Sequence, residues 1–126
     1  IMNYEDSEIY YKMCLEINDV GYINGSYAYL LYLLNRYDEA KKYLDISLSF
    51  NDKSNVAWRN CYYALLEFQL GNHEQSDEYL IKSVEHFKSS GSEQYALEHL
   101  ETMKKQDFKN LPFMLKFQRL LKVKEV

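Results

Sequence analysis

One proline, Pro112, and four glycines are spread over 126 residues. A sheet protein needs tight turns at short intervals, and this supply is too small for one. Two cysteines, Cys14 and Cys61, are too few for a disulfide framework, and they lack metal-ligand spacing. Both fall where helices should pack, so they are expected as buried free thiols in a reducing compartment. No apolar run reaches membrane-spanning length; Ala28 to Leu34, the longest with its tyrosines, is far too short. The first residues do not read as a secretory leader. Basic charge is not in excess either: the net charge is −4, which disfavours direct nucleic-acid binding.

Chemistry is equally sparse. HExxH, a metal-spaced Cys/His cluster and a glycine-rich phosphate loop are all missing. His73, His86 and His99 recur every thirteen residues, with structural or exposed roles favoured over catalysis. Glu74 with Glu78, and Glu98 with Glu101, share helix faces of the kind that water solvates, not the buried setting of a catalytic carboxylate. No catalytic residue, metal ligand or cofactor is expected. Asn24-Gly25-Ser26 matches the glycosylation pattern, which without secretion is a chance match.

What the chain does have is apolar content of 47%, enough for a packed interior, and thirteen tyrosines. Tyr37 to Leu48 is its clearest element. Tyr37, Ala40, Leu44 and Leu48 form one apolar stripe at helical spacing. Asp38 and Glu39 sit in the first turn, where the helix dipole favours acids.

That pattern recurs. Related starts are Tyr4, Tyr37, His73 and Phe108, at intervals of 33, 36 and 35 residues. A small residue opens three copies (Ser7, Ala40, Ser76), and a second follows seven later (Cys14, Ser47, Ser83). Small side chains there let two helices approach closely. Leu111 and Gln118 break the rule in the fourth copy.

The expected helices run from Tyr4 to Ile17, Tyr22 to Leu34, Tyr37 to Phe50, Val56 to Leu70, His73 to Lys88 and Ser92 to Lys105. A last one starts at Asn110, with Pro112 in its first turn. Gly25 weakens the second helix by up to about 1 kcal/mol relative to Ala, so Asn24 is an alternative cap for a shorter one. Ser54 or Asn55 caps the fourth helix, and Gly71 supplies its left-handed C-cap.

A two-helix unit near 34 residues cannot bury both faces alone and must stack on neighbours. The chain resembles the tetratricopeptide repeat family. Ala28, Leu31, Asn35, Tyr37, Ala40, Tyr43, Leu44, Ser47 and Leu48 carry the resemblance best. Ala64, Gly71, Ser76, Leu80, Ser83 and Val84 follow. Serine replaces alanine repeatedly, and Asn35 stands where the family commonly has glycine.

The resemblance implies an all-α, α–α superhelix: a tetratricopeptide-like solenoid of about seven antiparallel helices, or three and a half repeats. It makes residues 1–126 a single domain. Residues 1–18 are the second helix of a truncated repeat in a longer array. Repeats follow at 21–51 and 55–88, then a degenerate repeat with a C-terminal capping helix at 92–123.

Members of that family are noncatalytic adaptors whose A helices line a concave groove for a protein or peptide segment. The resemblance draws that groove from helices two, four and six, with candidates Tyr22, Tyr29, Tyr32 and Leu33 on helix two and Trp58, Tyr62, Leu65, Phe68 and Gln69 on helix four. Nothing carries over firmly onto helix six. The family's carboxylate clamp uses Lys, Asn and Arg; Gly25, Tyr29 and Tyr62 stand there instead, which argues against a chaperone tail as ligand. Aromatic stripes on helices are more often core than site, and about half of these tyrosines must pack between helices.

The expected function is therefore a cytoplasmic scaffold with a protein or peptide partner, without membrane insertion. A second expectation is a sensory or regulatory module of a larger signalling or transcription-regulating protein. A third is self-association as a homo-oligomer through an end helix exposing Phe113, Met114, Phe117 and Leu121. That end is basic: residues 104–126 hold 7 basic and 2 acidic side chains, against 8 and 17 in residues 1–103. Lys116, Arg119, Lys122 and Lys124 belong to it, as a solvated cap or a surface for an acidic partner.

Overall fold

A computed structural model describes residues 3–123, so Lys124 lies outside the described residues. The described chain is all-helical, with seven helices: α1 (Tyr4–Ile17), α2 (Gly21–Leu33), α3 (Tyr37–Ser49), α4 (Val56–Gln69), α5 (His73–Ser89), α6 (Glu93–Gln106) and α7 (Leu111–Lys122). None is long and apolar enough to cross a membrane.

Three connections use the same C-terminal turn. After α2, Asn35 N–H donates to the Tyr32 carbonyl and Arg36 N–H to the Leu31 carbonyl. After α4, Gly71 and Asn72 repeat this on Phe68 and Glu67; after α5, Gly91 and Ser92 repeat it on Lys88 and Phe87. This paired bonding satisfies carbonyls that the helix end leaves open, and it requires one left-handed residue. Asn35 (φ 62°), Gly71 (φ 85°) and Gly91 (φ 67°) supply it. Asparagine tolerates this region better than most residues, which is why it serves in place of glycine at 35.

The small residues mark close helix contacts, as their spacing suggests. Ala40, Ser47, Ser76 and Ser83 are all buried. Ser47 Oγ donates to the Gly21 carbonyl at 2.6 Å, and Ser76 Oγ to the Ala64 carbonyl at 2.8 Å. These bonds join α3 to α2 and α5 to α4, offsetting the cost of burying a hydroxyl. Cys61 is fully buried in the core, but Cys14 is only half-buried, because α1 is covered on one side.

Asn24 is not a cap. It is buried inside α2, and its amide donates to Asp19 Oδ1 and to the Val20 carbonyl. Gly25 has a different role from the one its propensity suggests. The Arg59 side chain crosses α2 at this point, and a Cβ on Gly25 would lie 2.7 Å from Arg59 Cγ. At Gly21 an added Cβ would lie 2.0 Å from Arg59 Nη1. The two glycines thus form a notch that receives an arginine only 1% exposed. Its guanidinium donates to the Ser47 carbonyl (2.8 Å) and the Asp52 carbonyl (2.7 Å), with the Asp52 carboxylate 3.4 Å away.

α7 departs most from expectation. Phe113, Met114, Phe117 and Leu121 are between 0% and 3% exposed. Their stripe faces inward: Phe113 packs on Phe68 of α4, and Phe117 on Trp58 of α4 and Phe87 of α5. These four side chains complete the core and offer no surface to a second protein. The exposed apolar residues at this end are Phe108, Leu111, Leu115 and Val123.

Candidate functional site: an aromatic groove

α2 and α4 lie side by side and present a row of rings. Tyr29 stacks on Tyr62 with centroids 4.6 Å apart and planes 12° from parallel. Trp58 continues the row beyond Tyr62 at 6.1 Å. His99 of α6 meets the Trp58 ring edge-on at 4.7 Å.

Two depressions flank this row. One, of about 180 Å³, is lined by Tyr22 and Ser26 of α2, Asn55, Trp58, Arg59 and Tyr62 around α4, and Tyr95 and His99 of α6. The other, of about 220 Å³, lies between α1 and α2 and is lined by Tyr4, Ser7, Tyr11, Ser26, Tyr29, Leu30, Leu33 and Gln106. Ser26 borders both. A third, of about 320 Å³, shares Asn55, Trp58 and Tyr95 with the first and runs toward the α5–α6 turn.

Of the expected groove residues, Tyr22, Tyr29, Leu33, Trp58 and Tyr62 border these depressions. Tyr22 is the most open at 39% exposure. Tyr32 and Leu65 are buried in the core and present no free surface, and Trp58, although it borders a depression, is itself buried at 5% exposure. Phe68 and Gln69 are half-buried and border none of the three depressions. Phe68 packs against Phe113 and His73, and Gln69 accepts from Asn110 Nδ2 at 2.8 Å.

The structure adds Tyr95 and His99 from α6, and Tyr4, Ser7 and Tyr11 from α1. Tyr95 and His99 repeat the four-residue spacing of Trp58 and Tyr62, a signal legible in the sequence.

The α6–α7 connection closes one end of the row. Tyr29 Oη donates to Gln106 Oε1 at 2.7 Å. Tyr32 Oη donates to the buried Asp107 carboxylate and accepts from Asn110 Nδ2. Lys109 Nζ donates to Asn35 Oδ1 and to Tyr37 Oη. Residues from both halves of the chain therefore meet at one point.

The electrostatics suit surface contact more than charge pairing. Burial pushes the Tyr29 and Tyr62 phenols well above their ordinary pKa. Burial, then the bond to Asp107, does the same to Tyr32. These hydroxyls stay protonated and remain hydrogen-bond partners. Burial lowers the His99 pKa, favouring the neutral ring against Trp58. The Cys61 thiol is pushed up by burial alone, so little thiolate forms near neutral pH. Among the described residues, no three His, Cys, Asp or Glu side chains gather as a metal site.

The chain matches no protein-family model, no curated protein and no solved structure.

Proposed function

We propose that the seven helices form a tetratricopeptide-like array, and that the chain is a noncatalytic scaffold holding a peptide or protein segment in this aromatic groove. The array reading is supported by the matching C-terminal turns after α2 and α4 and by the buried small residues Ala40, Ser47, Ser76 and Ser83. The binding reading rests on one observation: the Tyr29–Tyr62 stack, bracketed by two depressions that share Ser26. Together they offer successive sites for apolar or aromatic side chains of one segment. Ser26, Asn55 and the phenol hydroxyls add directional bonds. Recognition of this kind works by stacking and fit, with a few aromatic side chains carrying most of the affinity.

Trp58 is the chain's single tryptophan and lies in this row, so its emission reports occupancy. Peptides selected from a random display library should change Trp58 fluorescence on titration. Tyr22→Ala and Tyr95→Ala should each weaken them by about 1–3 kcal/mol, while Phe108→Ala leaves binding intact. Failure to select any binder, or binders indifferent to Tyr22, Tyr29 and Tyr62, would sink the proposal.

A further inference from the structure

The groove has a charge pattern of its own. The depression among α2, α4 and α6 and the larger one toward the α5–α6 turn share Asn55, Trp58 and Tyr95, so they form one trough. The chain carries 19 acidic side chains, yet none of the described ones lines this trough. The depression between α6 and α7, by contrast, has both Glu98 and Glu101. Asp52, Glu85, Glu93 and Glu98 adjoin lining residues in sequence but stand outside the lining, and Asp52 is engaged with Arg59.

Donors and positive charge gather in the trough instead. Arg59 lines its smaller end and is only 1% exposed. The bonds of its guanidinium run to Ser47 and Asp52, on the side of the α3–α4 connection. Its buried Nε–H has no partner among the described residues, and a buried donor left open is costly. Lys53 and His86, both exposed, stand at the larger end. Asn55 and Ser92, the N-cap residues of α4 and α6, line that end as well. Neither makes a side-chain capping bond, so the positive ends of two helices are left uncapped there.

The rings of Tyr22, Trp58, Tyr62 and Tyr95 would by themselves suit a cation. A buried guanidinium among them repels one. We propose that the segment held in this groove is acidic. An apolar or aromatic side chain packs against Tyr62 and Tyr95, and an oxygen of the segment supplies the acceptor that Arg59 lacks. A neighbouring carboxylate lies at the Lys53 end, by the uncapped starts of α4 and α6. This rests on the groove reading above and adds the chemistry of the occupant. It also runs against the overall field, since a chain of net charge −4 attracts basic peptides unless a local cause opposes it.

Selection on the immobilised chain from a phage-displayed random peptide library, then titration of the synthetic consensus peptide by Trp58 fluorescence, tests this. The consensus should hold Asp or Glu beside an aromatic or large apolar residue. Replacing those acids by Asn or Gln should weaken binding about tenfold. Added salt should weaken the acidic peptide more than its amide counterpart. Lys53→Glu should weaken the acidic peptide about fivefold. Lys105→Glu makes an equal change in net charge at an exposed position outside the trough, and should alter binding less than about twofold. A consensus that depends on Tyr22 and Tyr62 but carries no acid, or binds equally well as its amide, overturns the acidic occupant and leaves the groove standing. Indifference to Lys53→Glu does the same. Failure to select any binder overturns both.

Discussion

Gly25→Ala is the most informative single change, because two physical effects predict opposite signs. Alanine is the better helix former by about 1 kcal/mol, so propensity alone predicts a more stable protein. The structure predicts the reverse. The new Cβ would sit 2.7 Å from Arg59 Cγ, 3.2 Å from Arg59 Cδ and 3.1 Å from Ser47 Oγ. Arg59 cannot swing aside freely, since its guanidinium is held by the Ser47 and Asp52 carbonyls. Ser47 is held in turn by the Gly21 carbonyl. Overpacking of this kind costs about 1–3 kcal/mol. Allowing for the propensity gain, the net loss should be about 0–2 kcal/mol, centred near 1.

Urea denaturation followed by circular dichroism measures it. With an m-value of about 1.5 kcal/mol/M, the midpoint should fall by roughly 0.7 M at unchanged m. Gly71→Ala is a useful contrast. An added Cβ there meets nothing within 4 Å, so its cost of about 1 kcal/mol would come from the left-handed backbone alone. Arg59→Ala supplies the second arm of a cycle: in that background Gly25→Ala should become neutral or stabilising. A raised midpoint for Gly25→Ala in the otherwise unmodified chain would refute the notch.

Tyr32→Phe removes the hydroxyl between Asp107 and Asn110, leaving the buried carboxylate without its donor. It should lower stability by about 1–3 kcal/mol, read as a drop in the denaturation midpoint with helix content unchanged. His99 adds a pH dependence: burial lowers its folded pKa, so the unfolded chain binds this proton more readily. Stability from this group is full above about pH 6.5 and declines as pH falls toward the folded value. His99→Phe should abolish that part of the slope in thermal melts between neutral and mildly acidic pH.

The helices were largely legible because their punctuation is local. Tyr4 to Ile17 has the expected bounds, and the other boundaries shift by about one residue. Asn35, Gly71 and Gly91 mark turns because few residues accept their backbone angle. The role of Gly25 was not legible, since what fills the space beside it comes from Arg59, on another helix. The same limit explains α7. An inward apolar stripe and an exposed one have identical spacing, so Phe113 and Phe117 could not be told from a docking surface. Of the candidate groove residues, Tyr22 and Tyr29 border the depressions, whereas Tyr32 turns toward Asp107. That partner is remote in sequence, and no local pattern announces it.

The bonds joining the α6–α7 connection to α2 and α3 bear on how the chain comes apart. In a linear stack each unit touches only its neighbours, so an end can fray without disturbing the middle. Here Asp107, Lys109 and Asn110 reach back to Tyr32, Asn35 and Tyr37. Loosening the last two helices therefore also exposes partners in the second and third. Closing so long a loop slows folding, but it converts a row of separable units into one cooperative transition. Amides of α2 and α6 should then exchange with solvent through a common opening.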